Sequence, residues 1–368
     1  MTPATMPQTI EALTPEWLST VLRQGGHIGD ATVTAVETES VGAGVGILCL
    51  LARLKLSYDR PARGAPKTLI AKIPSPDPQT RGMAAAFRFY QREVTFYREL
   101  AADISLPAPK SYYSALNEES GDFVLLLEDL GGARLGDQLA GCSAEDATLA
   151  IVELAKMHAS WWNHPRLQAL SWMPVTSDPV NKAGMALYPM AWPLFVERFG
   201  SRCPADVLRI GETLEPHFNA MLDRFAAGPR TVLHGDYRLD NLFFAAKAGD
   251  PPLRVVDWQI SMRGAGTYDV GYFMSQSLDV QVRRDHEREI LRLYHATLTE
   301  HGVTDYSMDE CLHDYRWTIL GCFVYPVMGG GLGDLSNARG VALATAMTER
   351  SATAIADWKA GDLLRELN

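Results

Sequence analysis

The run VLHGDYRLDNLFF (232–244) crowds His234, Asp236, Arg238, Asp240 and Asn241 between two apolar segments. A polar loop held on an apolar frame is where sites tend to sit. Moving a phosphoryl group to a hydroxyl needs an acceptor for the hydroxyl proton. It also needs oxygen ligands for magnesium, which takes them in near-octahedral geometry. Asp236 is the right residue type for the first task. Asn241 offers a neutral amide oxygen for the second, and Asp257, at the end of the apolar strand LRVV, offers a carboxylate. An Asp at a strand end also serves simply to cap the next turn, and in isolation that reading is favoured.

Three weaker signals precede this loop. VGAGVG (41–46) puts Gly42, Gly44 and Gly46 between two β-rich segments, so their amides can face an anion unobstructed. Lys72 sits among Leu69, Ile70, Ala71 and Ile73, which implies a partly buried ammonium in need of a partner. Glu93 on the following helix is the natural candidate, with Glu99 as the rival. Glycine hairpin, strand Lys, helix Glu, an EDL segment, H-G-D-x4-N and strand–Asp follow one another in the order of protein-kinase-type signatures.

The elements that must carry these residues are legible from periodicity. A helix is expected over 13–26, started near Thr14–Pro15. Strands are expected over 31–40, 46–59 and 67–75, then one helix over 84–103, then strands over 110–117 and 122–130. GGARLGD (131–137) is a turn-rich joint. Beyond it helices recur over 143–164 and near 204–226, 280–301, 308–325 and 340–365, with short β segments around 232–244 and 253–259. The Ser143–Asp146 spacing reads as a capping box. His158, Trp161 and Trp162 read as a core helix end rather than a zinc or haem site, and RRDHERE (283–289) as a solvated helix face. GGGLGD (329–334) reads as a helix-ending loop, with a flap over the acceptor as the alternative. The loop 165–192 receives no assignment.

Composition narrows the partners. The chain has 368 residues, 47% apolar and 21% charged, an ordinary globular balance that suggests about two domains. Its 34 basic and 44 acidic residues leave a net charge of −10, which argues against a nucleic-acid partner. Five scattered cysteines without a C-x-x-C pair read as reduced thiols of a cytoplasmic protein. The first residues show no basic-then-apolar leader. The longest uncharged stretch, Trp317–Gly333, is interrupted by Pro326 and glycines, so no membrane span is expected.

HGDYRLDN (234–241), VVDWQ (255–259), REVTFYREL and LLLEDL together resemble the aminoglycoside phosphotransferase and choline kinase-like superfamily. The similarity runs from about residue 30 to about 275 and looks closest to ecdysteroid-kinase-like and related bacterial phosphotransferases. The resemblance implies a bilobal α+β protein-kinase-like fold. Residues 1–130 would form a small antiparallel-sheet, nucleotide-binding lobe, and residues 131–368 a larger helical lobe with the catalytic loop and acceptor site. It implies ATP and Mg2+, with the hydroxyl of an aminoglycoside, amino alcohol, sugar or steroid-like alcohol as acceptor. Carried over by position, it makes Asp236 the catalytic base and Asn241 and Asp257 magnesium ligands. Lys72, paired with Glu93, would grip the α/β-phosphates beneath Gly42, Gly44 and Gly46. Leu127 would back the adenine slot, with the Glu128 carbonyl and Leu130 amide on the adenine edge. Asp269 would hold the catalytic loop through its amides, and His234 would support that loop.

Departures from protein kinases carry information as well. The hairpin lacks the usual G-x-G-x-x-G. His234-Gly235-Asp236 replaces His-Arg-Asp, and residues 258–270 leave no room for an activation segment, which implies a site always assembled for a small acceptor. Tyr237 and Trp258 are read either as walls of the acceptor pocket or as core aromatics. Asp240 is read as a structural partner of Arg238, while Arg238 is either that partner or a substrate contact. The alternatives are a nucleotide-binding pseudokinase without transferase activity and a metal-dependent hydrolase built on His234 and Asp236.

Overall fold

The structure, a computed structural model, describes residues 6–41 and 48–367. It divides into two compact units, Met1–Asp103 with Pro107–Ala133, and Ile104–Leu106 with Arg134–Asn368.

The first unit is built on an antiparallel sheet. Its strands are β1 (Val33–Ser40), β2 (Cys49–Tyr58), β3 (Thr68–Pro74), β4 (Ser111–Leu116) and β5 (Phe123–Glu128), in the order β1-β2-β3-β5-β4. Side chains alternate across a strand. Leu69, Ala71 and Ile73 therefore share one face of β3, packing with Val124 and Leu126 of β5 against Leu18, Val21 and Leu22 of helix α1 (Pro15–Gln24). Thr14 caps α1, and Pro15 takes its first position. The same alternation turns Lys72 to the opposite face, in register with Leu51 of β2 and Leu125 of β5.

That opposite face corrects one expectation. The helix expected over 84–103 is two helices, α2 (Pro78–Ala86) and α3 (Phe89–Glu99), separated at Arg88 with a left-handed φ of 57°. No glycine or proline marks the break. The change of direction lets the Tyr90 hydroxyl donate to the Leu48 carbonyl at 2.5 Å and its ring meet Phe123. Those contacts set the start of α3 and bring Glu93 to the sheet.

The second unit is mainly helical. Strand β6 (Arg134–Leu135) leads to α4 (Ala144–Ser160), α5 (Pro179–Met185), α6 (Tyr188–Phe199), α7 (Ala205–Glu212) and α8 (Phe218–Ala227). Four short strands follow: β7 (Thr231–Leu233), β8 (Leu242–Phe244), β9 (Leu253–Val255) and β10 (Met262–Gly264). Then come α9 (Thr267–Gln276), α10 (Val280–Glu300), α11 (Met308–Gly321), α12 (Val324–Leu332) and α13 (Ala338–Asp357). Two small antiparallel ribbons frame the polar loop: β7 pairs with β10, and β8 lies between β6 and β9.

Other readings change here. The segment 204–226 is two helices, α7 and α8, joined through a short turn at Glu215–His217 that contains Pro216. The unassigned loop contains α5 and the start of α6. The glycines 329–331 are helical, within α12. A Cβ on Gly331 would lie 2.4 Å from the Ala191 carbonyl oxygen of α6, so glycine permits the two backbones to meet. RRDHERE is not wholly solvated either. Arg283 and Glu287 are buried and paired at 2.8 Å, with Trp358 Nε1 donating to the same Glu287 carboxylate at 2.7 Å. Among the described residues, no cysteine is joined in a disulfide. Among the described residues, no helix is long and apolar enough to cross a membrane.

Candidate active site

The loop after β7 is closed by a buried carboxylate on α9. Asp269 accepts the His234 amide at 2.7 Å and the Gly235 amide at 2.8 Å, and the buried His158 ring nitrogen Nε2 stands 3.5 Å from it. Gly235 has φ 82°, and a Cβ there would lie 2.4 Å from the Ile260 carbonyl oxygen. Only glycine satisfies both conditions. His234 is fully buried. Its Nδ1 accepts the Asp236 amide at 3.2 Å, so the ring proton is on Nε2, which meets the Val256 carbonyl at 2.9 Å. One imidazole therefore ties the loop to the segment that carries Asp257.

Asp236 sits among three donors. Tyr272 Oη donates to Oδ1 at 2.9 Å, while Asn241 Nδ2 at 3.0 Å and Arg238 Nε at 3.2 Å donate to Oδ2. Asn241 Nδ2 also donates to the Asp236 carbonyl at 2.9 Å. Because its amide nitrogen is turned to Asp236, the Asn241 amide oxygen is left pointing elsewhere as a neutral oxygen donor. The Val256 amide donates to the Asn241 carbonyl at 3.0 Å, and Leu242 pairs with Val255. The β8–β9 pairing thus brings Asn241 beside the strand end that carries Asp257. Asp257 has a left-handed φ of 67°, unusual for a side-chain-bearing residue and common where function constrains the backbone. An amide oxygen and a carboxylate are the hard donors that magnesium prefers. Among the described residues, no group of three or more His, Cys, Asp or Glu side chains gathers as a metal cage.

Arg238 divides its guanidinium between Asp236 at 3.2 Å and Asp240 at 3.0 Å. Burial disfavours its charge, but the two carboxylates outweigh burial and hold its pKa above the ordinary arginine value. Asp240 also accepts the Gln138 amide at 2.9 Å, and Gln138 Oε1 accepts the Leu239 amide at 2.9 Å. Burial first, and then the Asp236 carboxylate, push the Tyr272 phenol well above its ordinary pKa, so it acts as a donor. Tyr325 stacks on Tyr272, with ring centres 4.4 Å apart.

Tyr237 and Trp258 belong to the core, which removes them as acceptor walls. Both are fully buried. Tyr237 donates its hydroxyl to the Ala150 carbonyl at 2.8 Å, and Trp258 donates Nε1 to the Val255 carbonyl at 3.1 Å. Tyr272, Tyr325 and Gln138 are the neighbours of the loop that sequence reasoning passed over, while His158, read as a core residue, is buried beside Asp269. Tyr272 lies three residues after Asp269, hence on the same helix face, and that spacing is its one signal. Tyr325 and Gln138 come from distant segments and carry none.

In the first unit, Lys72 Nζ lies 2.6 Å from Glu93, and both side chains are buried. Glu99 is exposed and is not the partner in this pair. Leu127 and Leu130 are buried at the end of β5, where the Glu128 amide donates to the Lys110 carbonyl. Gly42, Gly44 and Gly46 lie outside the described residues.

The model of a family described as "Phosphotransferase enzyme family" matches residues 60–303. Choline kinase from Cryptosporidium parvum Iowa II has a similar structure, with TM-score 0.56, 11% identity, and 94% of this chain and 96% of that one covered. The GDP and kanamycin complex of APH(2")-IIIa gives 0.51 at 15% identity, covering 91% and 97%. An amicoumacin kinase in complex with AMP-PNP and Ca2+ gives 0.50 at 12% identity, covering 92% of each. At these identities the likeness shows the fold, which is the α+β kinase-like fold. A search of curated proteins finds no match.

Proposed function

Because the chain belongs to the phosphotransferase enzyme family, we propose that it transfers the γ-phosphoryl group of ATP, bound with magnesium, to a hydroxyl of a small molecule, with Asp236 as the base. The observation that carries this reading is the seating of Asp236. Its carboxylate is held by Tyr272, Asn241 and Arg238 yet stays 15% exposed, and Asn241 turns its amide oxygen away from it.

An Asp236 carboxylate oxygen takes the proton of the acceptor hydroxyl as the new O–P bond forms. The bond from the γ-phosphorus to the β–γ bridging oxygen breaks, and ADP leaves. Bound magnesium supplies charge neutralisation on the phosphate oxygens. Asn241 and Asp257 hold it, and Lys72, oriented by Glu93, steadies the α/β-phosphates. Leu127 backs the adenine, with the Glu128 carbonyl and the Leu130 amide on its edge. Asp269 and His234 keep the loop in shape. Catalysis comes from positioning and preorganised charge rather than from covalent chemistry. The acceptor is an aminoglycoside, amino alcohol, sugar or steroid-like alcohol, and a screen of hydroxyl compounds for ATP consumption, with mass spectrometry of the product, identifies it. On that acceptor, Asp236→Asn is expected to lower kcat by roughly 100- to 10,000-fold, with ATP affinity by calorimetry nearly unchanged. Near wild-type turnover by this variant would remove Asp236 from the role of base.

A further inference from the structure

The β7–β10 ribbon carries two arginines away from the catalytic loop. Arg230 immediately precedes β7, and Arg263 pairs in register with Val232, whereas His234 follows the other end of β7. Both arginines line a cavity of about 250 Å3, together with Asn163, His164, Leu167 and Gln168. No carboxylate is among these lining residues.

The backbone of each arginine is pinned. The Asn163 amide donates to the Arg230 carbonyl at 2.7 Å, and the Arg230 amide donates to Asn163 Oδ1 at 3.0 Å. The Arg263 amide donates to the Pro174 carbonyl at 2.8 Å, and the Arg263 carbonyl accepts the Thr176 amide at 2.9 Å. Arg263 Nη1 donates to the Leu167 carbonyl at 2.5 Å, while its buried Nε has no partner among the described residues. The Arg230 guanidinium is exposed and forms no ion pair among them. His164 Nδ1 accepts the Arg166 amide at 3.2 Å, which leaves an Nε2–H donor on a third lining residue.

Two like charges held over one cavity repel each other unless an anion answers them. Burial, and then the neighbouring Arg230, lower the Arg263 pKa below its ordinary value, and Asp178 offsets this only in part. A second cavity, of about 300 Å3, is also lined by two arginines, Arg81 and Arg88. There Arg81 is paired with Asp122 at 2.5 Å and Glu118 joins the lining, so the charge is answered from within. The Arg230–Arg263 cavity has no carboxylate in its lining, and Asp178 offsets the charge only in part.

We propose that Arg230, Arg263 and His164 form a binding site for a small oxyanion, a phosphate group either free or as a monoester, separate from the phosphoryl-transfer site. Guanidinium forks match the oxygens of a phosphate. The cavity is smaller than the roughly 300–1,000 Å3 of sites for whole drug-sized ligands, which suits an anion of this size.

Calorimetric titration of the full chain with orthophosphate and with glycerol phosphate, in EDTA and low chloride, tests the site. One saturable site is expected, weakened at least tenfold by Arg230→Gln and unchanged by Asp257→Ala. Arg230 is exposed, so its variant is expected to keep the wild-type thermal midpoint. Tighter binding of the ester assigns the site to monoesters, and equal or tighter binding of orthophosphate assigns it to free phosphate. Absence of saturable binding, or an affinity that Arg230→Gln leaves unchanged, overturns the proposal.

Discussion

Asp236 holds its carboxylate between a phenol and a guanidinium, and the two play different parts. Arg238 is shared with Asp240, so its charge does not fall wholly on Asp236. Tyr272, a neutral donor, gives Oδ1 a single charge-assisted bond at 2.9 Å from a buried helix, which fixes the direction in which the carboxylate faces. A hydrogen bond to a charged group is worth about 1.5–3 kcal/mol net, and about 1.4 kcal/mol is tenfold in rate. Tyr272→Phe, which removes only the hydroxyl, is expected to lower kcat roughly ten- to a hundredfold while leaving both KM values unchanged. Steady-state kinetics read this, and the loss should vanish in an Asp236→Asn background, since the hydroxyl acts through Asp236. An equal loss in both backgrounds would mean that Tyr272 acts on something else.

The pairing of Lys72 with Glu93 depends on two elements meeting correctly. Strand alternation turns Lys72 away from α1, and the break at Arg88 starts α3 where Glu93 can reach it. Removing one partner of a buried ion pair leaves an unanswered charge and costs about 3–5 kcal/mol, whereas replacing both with apolar groups is often neutral. Lys72→Met is therefore expected to lower the thermal midpoint sharply. The double variant Lys72→Met/Glu93→Leu should recover most of that loss without recovering phosphoryl transfer. Calorimetry and an ATP-consumption assay separate the two effects, and a single variant as stable as wild type would show that the pair is not desolvated. The lysine and its two candidate partners are legible in the chain. Glu93 is the preferred partner there, with Glu99 as the rival; where α3 begins is not legible, because no local residue marks that start.

A ligand that binds only the folded chain stabilises it by mass action, by about 2.7 kcal/mol at one hundred times its Kd. Mg-ATP is expected to raise the thermal midpoint by several degrees. Magnesium alone should leave it unchanged, and Asp257→Ala should abolish the magnesium-dependent part of the rise. A shift produced by metal alone would favour the hydrolase reading instead. The family match over residues 60–303 and the kinase-like fold agree with the order of motifs along the chain.

That order is a property of the chain itself. His234, Asp236, Asn241 and Asp257 lie within 24 positions of one another, and their spacing is set by one loop and two short strands. Backbone geometry over so short a distance leaves few arrangements, so the residues that would do chemistry could be named before folding was considered. Contacts made across the fold are different in kind. Tyr272 and Tyr325 beside the catalytic loop, Gln138 beneath Leu239, the burial of Tyr237 and Trp258, and the pairing of Arg230 with Arg263 over one cavity all depend on packing between distant segments. Close packing decides which side chains are enclosed and which meet, and it depends on the whole set of neighbours rather than on any local run of residues.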